Sequence, residues 1–246
     1  MLKPVRRQSL SDAVFEQLRD RIVAGELEAG TNLPAERVLC SVLGVNRGAV
    51  REALKRLAQA RLVAVQHGGA SRVLDFRSSA GLELLPELLT TAGGGIDATV
   101  LRSVVEMRSA LVPDIARLAA MRGGTDTARA LETVVAEMRA TTDDLPRRQR
   151  LAMDYWSHLV DGTGNVAYRL AYNSLRQTYD RVMDVLTGLL APIFGDVRSY
   201  AALAAAVGAG DAPTAQRLAR GMTKRVEERL FLAVDALEPA KATRRR

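Results

Sequence analysis

The chain has 246 residues, 48% apolar and 26% charged, with a formal net charge of +7. This length suits two modest domains with ample core, and the balance is that of a soluble, globular protein. No apolar run approaches the roughly 20 residues needed to cross a bilayer, the N-terminal MLKPVRRQSLSD has no apolar stretch behind its basic residues, and no signal peptide is expected. The single Cys40 excludes an internal disulfide framework and fits a cytoplasmic location.

The charge is unevenly placed. Residues 1–77 carry 13 Lys/Arg against 8 Asp/Glu, and the C-terminal KATRRR adds four more cations, so the body of the second half is near neutral. A positive field confined to the first third points to a polyanionic partner there.

In chain order, residues 9–24 place Val14, Leu18, Ile22 and Val23 at helical spacing, with serine at the start and Gly25 at the end. ELEAGTNL reads as a turn-rich connector. PAERVLCSVLG reads as a short helix with Pro34 first, where its missing N–H costs nothing, and Gly44 stops it. NRGAVREALKRLAQA follows as a helix capped by Asn46. LVAVQ and SRVLDF read as two strands joined by HGGA, a hairpin signal. Three helices and a hairpin in 77 residues make a winged helix-turn-helix. Residues 78–240 offer no strand. Helices are expected near 80–91, 97–122, 125–141, 146–161, 164–191, 196–208 and 211–236, with a kink at Pro113. The fold class is therefore mostly α: a winged helix-turn-helix at 1–77, an all-α bundle at 78–240 and a basic tail at 241–246.

On a helical wheel the 46–60 segment turns Val50, Ala53 and Leu57 to one side. Arg47, Arg51 and Lys55 fall within about 80° on another. A helix with one apolar and one cationic face fits the major groove, where Arg pairs with guanine O6 and N7 and Lys55, further along, meets phosphate. Gly48 and Ala49 are small enough for close approach. A plain solvated charge stripe is the alternative, and the preceding helix and following hairpin weigh against it. The Gly-rich wing tip suits a narrow minor groove, with His67 at a base edge or phosphate.

Together LPAER, GVNRGAVREALKRLAQARLV and VQHGG resemble the GntR family of bacterial transcription regulators, over roughly residues 8–76. The wing, the Asp75-Phe76 step into a Leu-rich helix, and MDYW at 153–156 followed by GTGN are similar to its FadR subfamily. The resemblance implies a homodimer on a near-palindromic operator in double-stranded DNA, near lipid-metabolism genes. It implies that Arg37 contacts phosphate, that Arg47 and Arg51 read bases with Asn46, Gly48 and Ala49 close by, and that His67 and Gly68 enter the minor groove. Gly48 and Ala49 stand where small hydroxyl residues are expected, so the operator need not be the subfamily's own.

The same resemblance implies an effector in the bundle, a long-chain acyl-CoA whose binding weakens DNA binding, with a small organic acid as the alternative. Asn165, Tyr168, Tyr172, Leu175 and Tyr179 share a stripe about 80° wide, either the wall of an acyl tunnel with polar anchors or ordinary bundle core. Arg108 is a candidate for an anionic group or a carboxylate partner. Gly221 aligns with a ligand-proximal glycine of the subfamily, and Lys224 and Arg225 stand nearby. Asp154 belongs to the MDYW pattern and is counted with the effector residues. Asp154 and His158, at i and i+4, would open a metal site, but with two histidines in the chain and His67 in the wing, the Asp-plus-three-His set of many relatives is impossible, so neither metal nor cofactor is expected. No catalytic residues are expected either: the chain has no nucleophile motif, and GGG at 93–95 lacks the Lys and Ser/Thr of a phosphate loop. An enzyme and a lipid-binding scaffold without DNA function are thus both disfavoured.

Overall fold

The computed structural model describes residues 9–65, 71–91 and 95–237, apart from the side chains of residues 184, 185 and 233–237. Packing divides the chain into two compact units, the first ending at Ile96 and the second beginning at Asp97.

In the first unit, helix α1 (Leu10–Val23) opens on a capping box. Ser9 Oγ accepts from the Asp12 N–H, and the Asp12 carboxylate accepts from the Ser9 N–H. Helix α2 (Glu36–Leu43) ends at Gly44, whose φ of +66° is the left-handed conformation that glycine takes without a Cβ penalty. That tight turn leads into α3 (Arg47–Gln59), where Asn46 Oδ1 accepts from the Ala49 N–H at 2.9 Å. Val50, Ala53 and Leu57 have no exposed surface. They pack with Phe15, Leu18 and Ile22 of α1 into one core, which fixes the rotation of α3 about its axis.

The hairpin is β1 (Val63–Ala64) against β2 (Arg72–Val73), antiparallel, with Val63 opposite Val73. It is shorter than the expected runs because Asp75 caps a helical turn, α4 (Phe76–Ser79), where strand was expected. The connector after α1 does more than turn. The Leu33 N–H donates to Ser71 O and the Val73 N–H to Thr31 O, so residues 31–33 lie along β2 as a third extended segment. His67 and Gly68, at the wing tip, lie outside the described residues.

The helix expected near 80–91 is instead a 3-10 turn (Leu82–Leu84) running into α5 (Leu85–Leu89), because Ala80 and Gly81 are extended. Leu84 joins the core of the first unit, with Ala80 and Leu88 against it. The compact N-terminal unit therefore continues past the end of the hairpin, where the sequence pattern changes.

The second unit is a bundle of α6 (Ala98–Arg122), α7 (Gly124–Ala140), α8 (Leu145–Gly162), α9 (Val166–Gly195), α10 (Val197–Gly208) and α11 (Ala212–Leu237). Helix α6 packs along α11, α7 against α8 and α10, and α8 against α9. Helix α6 continues unbroken through Pro113, and α9 runs through Pro192 to Gly195, four residues past its expected end. There α9 gives way to α10 at a 60° bend. Among the described residues no single helix is long and apolar enough to cross a membrane.

The fully buried Leu57 supports a direct test. Leu57→Ala should destabilise the first unit by about 2–5 kcal/mol, whereas Arg47→Ala, on the exposed face, should change it by no more than about 0.5 kcal/mol. Hydrogen exchange of the α3 amides is the appropriate readout, since the sole tryptophan, Trp156, belongs to the second unit.

Candidate nucleic-acid interface and bundle interior

The rotation of α3 set by its buried face turns Arg47, Gly48, Arg51 and Lys55 outward, and Arg37 of α2 is exposed as well. What distinguishes these cations is the company they lack. Elsewhere among the described residues of the unit, basic side chains are engaged by protein groups: Arg19 with Asp20, Arg21 with Glu26, Arg56 with Asp12 and the Phe15 ring, Arg61 with Glu83, and Arg72 with Gly30 O. Arg37, Arg47 and Lys55 have no ion pair among the described residues. They are a cationic surface left open on the two helices.

Arg51 differs. Its Nε donates to Glu36 Oε2 at 2.9 Å, and that carboxylate, first through the hydrogen bond and then through its charge, raises the arginine pKa above its ordinary value. Glu36 was not among the residues singled out from sequence. The signal was its place in LPAER, but only the turn at Gly44 shows that α2 and α3 bring positions 36 and 51 together.

The remaining candidates divide. Asn46 is exposed but its carboxamide oxygen is occupied as the α3 cap. Ala49 is 9% exposed and packs inward, so its side chain is part of the core rather than of the open face. Gly48 is exposed, and a Cβ there would come within 3.3 Å of the Asn46 oxygen, so its small size also protects the cap.

In the bundle, the tyrosine stripe of α9 is half-buried against its neighbours and each hydroxyl has a protein partner. Tyr168 donates to Asp114 Oδ2 of α6 at 2.7 Å, Tyr172 donates to the Met153 carbonyl of α8 at 2.7 Å, and Tyr179 accepts from Gln149 Nε2 of α8. Gln149 is itself 1% exposed, and its Oε1 accepts from Thr187. Burial pushes the Tyr172 hydroxyl up to about 12, and those of Tyr155, Tyr179 and Tyr200 upward as well, so all stay neutral.

Two buried side-chain atoms of α6 escape this saturation, the Ser109 hydroxyl oxygen and Nη1 of Arg108. Nη1 of the Arg108 guanidinium is sealed from solvent with no hydrogen-bond partner among the described residues. Its Cζ lies 5.7 Å from the Trp156 ring centroid, and Tyr200, Tyr172 and Tyr179 are within electrostatic reach. Burial pulls its pKa below the ordinary value. An interior cation with an unmet donor is costly unless an anion or acceptor joins it.

Thus Arg108, Tyr172 and Tyr179 converge in the bundle interior, joined by Trp156, Tyr200 and Gln149, which sequence spacing did not single out because they come from other helices. The other effector candidates lie elsewhere. Asp154 is half-exposed and pairs with Arg176 at 3.7 Å. Lys224 is exposed and pairs with Glu228, and a Cβ on Gly221 would meet open space rather than a close neighbour.

Two family models match the chain: bacterial regulatory proteins of the gntR family over residues 10–73, and the FCD domain over residues 103–225. The HTH-type transcriptional regulator Mce2R of Mycobacterium tuberculosis (strain CDC 1551 / Oshkosh) is 39% identical over 221 residues, covering 90% of this chain and 91% of that protein. The fatty acid metabolism regulator protein of Serratia proteamaculans (strain 568) is 26% identical over 178 residues, 72% of each chain. Among solved structures, Lar of Listeria monocytogenes, described as controlling expression of the agr system, superposes with a TM-score of 0.57 at 16% identity, covering 92% of this chain and 99% of that one, a likeness of fold alone.

Base-reading and phosphate-contacting cations leave different signatures. Arg51→Ala should cost about 1–3 kcal/mol of discrimination at one base position. Lys55→Ala should weaken binding to all duplexes and lower the salt slope by about 1. Fluorescence anisotropy over a salt series with operator and scrambled duplexes reads both.

Proposed function

The chain belongs to the GntR family of bacterial regulatory proteins, with a DNA-binding head and an effector-binding FCD domain, and on that premise we propose that a long-chain acyl-CoA bound within the bundle weakens its hold on the operator. The regulator acts as a homodimer on a near-palindromic site, as two-fold symmetry requires of paired heads, and governs genes of fatty-acid metabolism. Arg37 and Lys55 contact phosphate, and Arg47 and Arg51 read bases.

The observation that carries the effector half is Arg108. The neighbouring tyrosine hydroxyls are committed to protein partners, while the guanidinium retains a buried donor with none. A ligand with an acceptor or anionic group beside an apolar body meets both the cation and the aromatic surroundings. The name of the Serratia relative supports the lipid assignment. A second reading, a small organic acid, draws support from the same residue, since one isolated cation matches one carboxylate.

For either ligand, DNA release requires tighter binding to the conformation that holds DNA poorly. Micromolar oleoyl-CoA should release the operator in an anisotropy titration, whereas CoA alone and oleate should not. Release by short carboxylates instead would favour the second reading, and indifference to every ligand would remove the effector proposal. Arg108→Met, which keeps an apolar stem, should abolish the response and leave ligand-free operator affinity unchanged. Equal loss of both would make Arg108 a packing residue.

A further inference from the structure

We propose that Glu36 is a positioning residue for specificity. It holds the Arg51 guanidinium with its terminal edge directed at the bases, and its negative charge restrains the open cationic face from gripping DNA indiscriminately. The inference rests on the reading of Arg51 as a base-contacting residue.

The pair spans 15 residues and two helices, with Arg51 Nε 2.9 Å from Glu36 Oε2. The side chains are 69% and 41% exposed. An ion pair this open to water contributes little to folding, so stability is a poor reason for placing a carboxylate there. On a DNA-facing surface the same carboxylate repels phosphate and weakens binding to every sequence. Both considerations turn the question to what the pair does for recognition.

Arginine has five N–H donors in a rigid fork. With Nε–H turned to Glu36, the Nη1 and Nη2 groups at the far end remain for the bidentate contact with guanine O6 and N7. The long side chain is then ordered before DNA arrives, and one guanidinium edge is presented in preference to the others. The neighbouring cations are held differently. Arg37, Arg47 and Lys55 share the two helices and have no ion pair among the described residues. Of the two α3 cations read as base contacts, Arg51 is tethered, and Arg47, at the helix start, is not.

A competing role is local. Glu36 opens α2, where a negative charge favours the helix N-terminus, and Ala35 before it provides no side-chain cap. That role predicts altered stability and no change in discrimination, which separates the two.

The experiment measures operator and scrambled-duplex affinities across a salt series for the full chain and for Glu36→Ala, Glu36→Gln, Arg51→Ala and the Glu36→Ala/Arg51→Ala double variant, with helix content checked by circular dichroism. Glu36→Ala should tighten scrambled-duplex binding, steepen the salt slope by about 1, and lower the operator-to-scrambled ratio by about tenfold. Glu36→Gln keeps an acceptor for Nε without the charge. It should tighten binding to both duplexes while retaining most of the ratio. In the Arg51→Ala background, loss of Glu36 should leave the ratio where Arg51→Ala alone puts it. If Arg51→Ala lowers the ratio and Glu36→Ala does not, the positioning role is overturned and the base-reading role stands. If Arg51→Ala leaves the ratio intact, base reading falls and this inference with it.

Discussion

The buried face of α3 is the constraint on which the DNA-binding surface depends. Val50, Ala53 and Leu57 are wholly enclosed by α1 and the hairpin. A helix pinned along one side has no freedom to roll, so the direction of every outward residue follows from the direction of those three. The cations at 47, 51 and 55 are therefore oriented by a hydrophobic core that never meets DNA. The Gly44 turn and the Asn46 cap complete the arrangement by fixing where α3 begins relative to α2, and so bring Glu36 to Arg51.

The bundle works by a different principle. Its interior is polar as well as aromatic, and its hydroxyls and amides are largely paired: Tyr155 with the Tyr200 carbonyl, Tyr172 with Met153, Tyr179 with Gln149 and Gln149 with Thr187. A paired network of this kind is rigid and specifies one arrangement. Against that background the unmet donor of Arg108 and the unpaired hydroxyl of Ser109 stand out among the described residues. The effector proposed above would replace an unfavourable buried cation with a charge-assisted contact, which would give it a stake in the state of the whole interior.

Much of the fold was legible because helical periodicity depends only on local spacing. Helix α3 and the six bundle helices follow from it, and the α3 cap follows from the residue type at position 46. What escaped were features set by partners distant in sequence. Residues 31–33 look like a turn, yet their backbone pairs with β2. The helix expected near 164–191 stops short of Pro192, yet α9 passes through it. The open cations of the interface were readable as a stripe, but Ala49 falls just inside the core boundary, and Glu36 gains its meaning only when two helices meet. In the bundle, spacing found the tyrosines on α9. It had no means of finding Gln149, Trp156 and Tyr200, which come from two other helices, nor of telling that Gly221 faces open space.

The central claim is that α3 reads base edges in the major groove. Methylation interference on DNA selected by the protein from a random-sequence pool tests it most directly, because dimethyl sulfate places a methyl group on guanine N7, where a base-reading arginine must donate. The account predicts that methylation of particular guanines in each half-site abolishes binding by the wild-type protein. It also predicts that one of those positions loses its effect in Arg51→Ala. Interference confined to phosphate ethylation, with guanine N7 methylation tolerated throughout, would contradict it.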